Sequence, residues 1–198
     1  HSLDAELMGG PLMIQYADQG AHCTYIHVTQ GRLEDPDATE EAKQAYLKDL
    51  LRQNKEAAEK MGGDTIWLGY VSSDMPSTEE FARRLETYFE DENVDLVITH
   101  WRGSMHPRHI NTYDAVTTAV KRLREKGSPI RLMYGETFED LVGFIPQAYF
   151  TVNEDVYGRW QDALKTYDVY RGEVNSFPYQ PYYTTIGRVR QIESNNSD

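Results

Sequence analysis

The strongest constraint on the fold of this chain is the regular alternation of strand-like and helix-like segments along it. Cys23 to Thr29 is rich in β-branched and aromatic residues and stops at Gly31, which predicts a strand. Glu40 to Met61 is rich in Ala, Leu, Lys, Glu and Gln and runs into Gly62-Gly63, a helix with its stop signal. Thr65 to Tyr70 reads as the next strand. Pro76, Ser77 and Thr78 introduce a helix through Glu90, with Phe81, Leu85, Tyr88 and Phe89 along one side. Val94 to Thr99 reads as a buried strand, His109 to Lys126 as a helix closed by Gly127, and Ile130 to Tyr134 as another strand. A shorter strand is expected at Tyr149 to Val152 and a helix at Val156 to Tyr170, with one more helix near the start, Leu7 to Gln19. This rhythm predicts an α/β fold, a mostly parallel sheet with helices on both faces. The tail after Phe177, rich in Tyr and Pro, is expected to fray at its last residues.

At 198 residues with no convincing linker, the chain is expected to form a single domain over residues 1–198. Its net charge of −12 argues against nucleic acid or an anionic membrane surface as partner. No apolar run approaches the roughly 20 residues that span a bilayer, so no membrane insertion is expected and a cytoplasmic enzyme fits. One cysteine, Cys23, excludes an intrachain disulfide framework and a thiolate metal cluster, and its apolar neighbours predict a buried thiol. No Gly-x-Gly-x-x-Gly follows a strand, which counts against dinucleotide binding.

Ligand sites in open α/β sheets gather at the carboxyl ends of strands. Two clusters fall in such places: His1 to Glu6, and His100 to His109 directly after the Val94–Thr99 strand. His106 and His109 are spaced His-x-x-His across a loop-to-helix junction, with Pro107 restricting the turn, and His1 and Asp4 have the same spacing. Imidazole and carboxylate together suit zinc, and three protein ligands with an open position mark a catalytic site. Taken alone, His-x-x-His also fits ordinary loop histidines. His22, His27 and His100 read as blander residues, His27 a satisfied strand residue and His100 a support for its neighbours. The acids around Glu34 to Glu41 read as a solvated loop and helix start.

The segment His1-Ser2-Leu3-Asp4-Ala5-Glu6 with Gly9-Gly10 resembles the first motif of the zinc-dependent de-N-acetylase family typified by the enzyme acting on N-acetylglucosaminyl-phosphatidylinositol (the PIG-L or LmbE-like family). Thr29-Gln30-Gly31 resembles that family's Thr-x-Gly strand end, and Thr99 to Ser104 with His106-Pro107-Arg108-His109 its second motif. The resemblance implies a Rossmann-like three-layer fold with zinc at the sheet edge. Residue by residue it implies His1, Asp4 and His109 as metal ligands and His106 as the catalytic histidine. That histidine would stabilise the developing oxyanion or protonate the leaving amine. The implied reaction is hydrolytic removal of an acetyl group from an N-acetylated sugar or similar small metabolite. Arg102, beside Trp101, is available to contact a sugar or an anionic group. The metal could also be iron or manganese. The resemblance further allows a homo-oligomer, with Tyr179, Tyr182 and Tyr183 available for an interface.

Two positions depart from the family pattern. Leu3 stands where the family has the carboxylate that serves as general base, and Arg108 where it has an aspartate beside the catalytic histidine. A cation there is expected to depress the pKa of His106. Glu136, just after a strand, is the substitute base, with a plain loop or helix-start acid as the alternative. The family also has a buried strand leading into the first motif, so the natural polypeptide is expected to extend upstream of His1. These departures leave open a relative that binds metal or ligand with impaired or altered activity.

Overall fold

The computed structural model describes residues 1–33 and 35–194. Its elements run α1 (Asp4–Asp18), β1 (Thr24–Thr29), α2 (Glu40–Lys60), β2 (Asp64–Tyr70), α3 (Thr78–Asp91), β3 (Leu96–His100), α4 (Pro107–Glu125), β4 (Arg131–Gly135), α5 (Glu154–Leu164) and α6 (Tyr179–Glu193). The chain forms two compact units. One comprises His1–Gly9, Ile26–Arg32 and Ile66–Ile145; the other comprises Gly10–Tyr25, Leu33–Thr65 and Pro146–Asp198.

The expected parallel sheet is present as two parallel pairs. β3 lies against β4, with Leu96 opposite Arg131 and His100 opposite Gly135. β1 pairs with β2. There the Asp64 N–H donates to the Cys23 carbonyl (2.8 Å) at the start, and the Gln30 N–H to the Tyr70 carbonyl (2.9 Å) at the end. Start meets start and end meets end, so this pair is parallel too.

In the first unit, α3 and α4 pack on β3 and β4 through Phe81, Leu85 and Phe89 of α3 and Ala115, Val116, Ala119, Val120 and Leu123 of α4. Their three- and four-residue spacing puts them on single helix faces. Val97 and Leu132 meet this cluster from the strands. Strand side chains alternate between faces, so Ile98 points the other way. There it meets the start of α1, where a Cβ on Gly9 would lie 3.4 Å from Ile98 Cδ1. Helices thus cover both faces of this strand pair, a three-layer α/β fold as expected. At Gly135, which ends β4, a Cβ would come within 2.7 Å of Met8 Cβ, so only glycine admits α1 so closely.

The second unit is mainly helical, with α2 packed on α5. Gly10 is bare because a Cβ there would sit 2.7 Å from Trp160 Cδ1. Arg159 grips Asp18 with two hydrogen bonds of 2.8 and 2.9 Å. Cys23 is buried as expected, and burial pushes its thiol up.

Three local expectations change, and one helix is added to them. α1 begins at Asp4, three residues before Leu7, which places Asp4 and Glu6 in its first turn where acids complement the helix dipole. Tyr149 to Val152 is exposed and forms no strand; among the described residues its propensity finds no strand to pair with. α5 ends at Leu164, and turns carry Tyr167 and Tyr170 into the core. The tyrosine-rich tail forms α6, with Pro181 in its first turn, where a missing N–H costs nothing. The fraying expected at the extreme end, and Glu34 of the acidic loop, lie outside the described residues.

Candidate active site

The carboxyl end of β3 delivers His100, and the loop that follows turns directly into α4. His106 caps that helix, with Pro107 at its first position and His109 one turn in. Nδ1 of His106 accepts the Arg108 backbone N–H (3.2 Å), which leaves Nε2 to carry the proton of the neutral ring. Opposite stands the start of α1. Its carboxylate Glu6 is fully buried and meets Nε2 of His27 on β1 at 2.9 Å, which pins the helix turn that carries Asp4. His27 is thus the satisfied strand residue expected.

His1, Asp4, His106 and His109 come together. Nδ1 of His1 lies 3.1 Å from Asp4 Oδ2, Nε2 of His109 lies 3.2 Å from the same oxygen, and the two imidazole nitrogens are 3.3 Å apart. Zinc holds nitrogen and oxygen ligands at 2.0–2.1 Å, which sets neighbouring donors of a tetrahedron about 3.3 Å apart. The three donors therefore fit the metal that the resemblance implies. Nδ1 of His109 meets Asp140 Oδ1 at 2.8 Å, the carboxylate support that metal-binding histidines commonly have. Asp4, His100 and His109 form a second combination. It converges less well, because the His100 and His109 rings are stacked with centroids 3.8 Å apart and planes 19° from parallel, and His100 Nε2 is 3.8 Å from Asp4 Oδ2. In a third, His1, His106 and His109, the Nδ1 of His106 is already engaged.

The buried aspartate Asp140 is the member that the sequence reading missed. Its Oδ2 receives His100 Nδ1 at 2.7 Å and the Thr137 hydroxyl at 3.0 Å, while Oδ1 takes His109. Neighbouring Glu139 turns its Oε2 to within 3.7 Å of His109 Nε2. The order Phe138-Glu139-Asp140 after β4 carries no spacing that flags it, and only its place after a strand end hints at function. Glu136 follows β4 directly and is half-buried.

Burial opposes charge on every group here, and the partners decide the outcome. It pulls His109 down, but hydrogen bonds to Asp140 and Asp4 lift the ring to about 9. It pushes Asp140 up, yet His100 and His109 hold it below the usual carboxylate range. Asp4, likewise pushed up by burial, is held well below that range by the hydrogen bond from His109 and by the charge of His109 and His100. Burial wins at His100 and at His106, whose rings are held down. At His106 the next cause is His109, and Arg108 contributes least, its guanidinium being bonded to Asn111 (2.9 Å). The expected direction holds, but burial rather than Arg108 is its main cause. Burial raises Glu139.

Leu3 is buried, with φ 80°, a left-handed conformation uncommon for a bulky side chain. The rim is built from two loops tied together. Met105 N–H donates to the Glu139 carbonyl (2.9 Å), Val142 N–H to the Gly103 carbonyl (2.9 Å), and Trp101 Nε1 to the Val142 carbonyl (3.0 Å). Arg102 lies exposed, its guanidinium 5.4 Å from the Trp101 ring centre. A Cβ on Gly103 would overlap the Val142 carbonyl. Gly103→Ala is therefore expected to break the loop pairing and cost about 1–3 kcal/mol, read as a lower urea midpoint.

The profile of the family described as PIG-L, GlcNAc-PI de-N-acetylase, matches residues 1–120. No curated protein matches. Among solved structures, the zinc-inhibited form of teicoplanin deacetylase Orf2 is similar at TM-score 0.75 and 17% identity, covering 98% of this chain and 91% of that one. The 4-carboxy-2-hydroxymuconate hydratase GalB from Pseudomonas putida follows at TM-score 0.74 and 16% identity, covering 98% and 84%. The N,N'-diacetylchitobiose deacetylase from Pyrococcus horikoshii is similar at TM-score 0.69 and 16% identity, covering 96% and 75%. These likenesses carry the same three-layer fold. With the family profile spanning the first motif, the second motif and most of α4, this chain belongs to the PIG-L (GlcNAc-PI de-N-acetylase) family.

Proposed function

We propose that the protein is a zinc-dependent de-N-acetylase that removes the acetyl group from an N-acetylated sugar or a related small metabolite, the whole chain serving as one catalytic domain. The observation that carries this reading is the trio of donors from His1, Asp4 and His109, separated by 3.1–3.3 Å and backed by Asp140. These three residues would hold the metal, with iron or manganese as substitutes for zinc. When bound, zinc supplies a Lewis acid for the amide carbonyl and eases ionisation of water.

The chain's own residues do the rest. Neutral His106 offers its Nε2–H to the carbonyl oxygen as negative charge builds there, a donor already oriented by the Arg108 amide. Arg102, on the rim, is suited to a hydroxyl or anionic group of the substrate. Relatives support the substrate class: one similar structure is a diacetylchitobiose deacetylase and another a teicoplanin deacetylase. No helix among the described residues is long and apolar enough to cross a membrane. A free, small substrate met in the cytoplasm is consistent with that; of the three tyrosines offered for a homo-oligomer contact, Tyr179 and Tyr183 are buried in the chain's own packing, which leaves half-buried Tyr182 of α6.

The second reading, a metal-binding relative with altered activity, is favoured by Leu3 alone. Elemental analysis and an amine-release screen on N-acetyl sugars separate the two. One zinc per chain with amine release is expected, and His109→Ala should lose the metal. Unchanged metal content in that variant would sink the site; a metal-loaded protein inert on every N-acetyl substrate would favour the second reading.

A further inference from the structure

We propose that Glu139 is the acid–base residue of this site, in the role that the family pattern assigns to the position of Leu3. The inference rests on the deacetylase reading above and names the proton carrier it lacks.

Hydrolysis of an amide is speeded by a general base near the attacking water, and the family pattern puts a carboxylate in that role, on the side where the metal donors converge. Leu3 is hydrocarbon and buried. Of the acids that meet the histidines, Asp4 has its Oδ2 committed to His1 and His109. Asp140 is fully buried behind the rings, both oxygens spent on Nδ1 of His100 and Nδ1 of His109. Glu139 differs from both. Its Oε2 approaches Nε2 of His109 at 3.7 Å, the same nitrogen that faces His1 and Asp4, and not the Nδ1 side that Asp140 occupies. Its side chain keeps 30% of its surface open, so water and substrate can reach it. Its backbone is held on both sides: the Met105 N–H bonds its carbonyl at 2.9 Å, and the next residue is the Asp140 anchor. The carboxylate is near the donors and accessible, on a backbone that is anchored at and beside Glu139.

Glu139 takes a proton from water as the water oxygen bonds to the amide carbon and the C=O pair moves onto its oxygen. The C–N bond then breaks, its electron pair stays on nitrogen, and Glu139 returns the proton to that nitrogen. Acetic acid and an amine leave, and Glu139 is restored.

The test uses the metal-loaded protein with N-acetylglucosamine as probe, in the parent, Glu139→Gln, Glu139→Asp, Glu136→Gln and Leu3→Asp/Glu139→Gln forms. Glu139→Gln is expected to lower kcat by about 10²–10⁴-fold with KM changed only a few-fold. Metal content should stay at one per chain and Tm near the parent's. Adding Leu3→Asp should recover part of the rate. If Glu139→Gln lowers Tm, Glu139→Asp decides, since it keeps the carboxylate: a folded, metal-loaded Glu139→Asp protein no faster than Glu139→Gln overturns the role. So does a Glu139→Gln protein as fast as the parent, a loss confined to Glu136→Gln, or a Glu139→Gln protein that has lost its metal, which would make Glu139 a ligand. A metal-loaded parent that releases no amine overturns the deacetylase reading and this role together.

Discussion

Asp140→Ala is expected to destabilise the protein by about 3–5 kcal/mol and to weaken zinc binding by about 10–100-fold. The first figure is the cost of removing one partner from a buried charged cluster, and the second the usual cost of losing the support behind a ligating histidine. Here one carboxylate serves two rings, His100 at 2.7 Å and His109 at 2.8 Å. Alanine would leave both Nδ1–H groups facing hydrocarbon and open a cavity at a site with no solvent access. Asp140→Asn separates the two effects. It preserves volume and one acceptor oxygen, so most of the stability should return while His109 still lacks its anion. Urea denaturation and competitive zinc titration measure the two quantities. An alanine variant as stable as the parent would mean that the histidines are held by something other than Asp140.

Stripped of metal, the protein should be most stable near pH 6.5, and zinc should reverse the alkaline side of that curve. His109 is raised from 6.5 to about 9, so its contribution is complete below 6.5 and fades as pH rises toward 9. The loss on that side is up to about 3 kcal/mol, because one pKa unit corresponds to 1.36 kcal/mol. His100 and His106 are shifted down, so the folded state favours their neutral rings and stability falls as pH drops below 6.5. Asp140, held low, adds its own loss as pH falls below the usual carboxylate range. With His109 as a ligand, as proposed, zinc would need its neutral ring and would have to displace the proton. Binding at pH 7 should thus release about one proton from His109, and affinity should climb about tenfold per pH unit up to about pH 9. Calorimetry in two buffers of different ionisation enthalpy counts the protons. No release at pH 7 would place His109 outside the metal's ligands.

The alternation of elements was legible because β-branched runs and Ala/Leu/Glu/Lys runs are separated here by clear stops at Gly31, Gly62 and Gly127. Propensity misled where context decides. Tyr149 to Val152 has strand-like residues but, among the described residues, no strand to pair with, and the tail's prolines obscured a helix that tolerates Pro181 in its first turn. The same division runs through the site. His1, Asp4, His106 and His109 carry local spacings, so they can be read in one dimension. Asp140 is 31 residues from His109 and 40 from His100, and nothing in either neighbourhood announces a partner that far away. His100 looked like a mere support, and its bond to Asp140 gives that support a definite partner. Glu139 has the same obscurity as Asp140, since its position depends on how the segment after β4 turns back.

The two rim loops have a dynamic consequence. Three hydrogen bonds join 101–105 to 139–142, and one of them ends on the Glu139 carbonyl. Such a ladder opens cooperatively, as one small folding unit, rather than residue by residue. The amides of Met105 and Val142 should exchange with deuterium at a shared rate, slowed or hastened together by anything that strains either loop. A bulky ligand that levers the rim apart would then pull on the Glu139 backbone in the same event, so access and proton chemistry are mechanically linked.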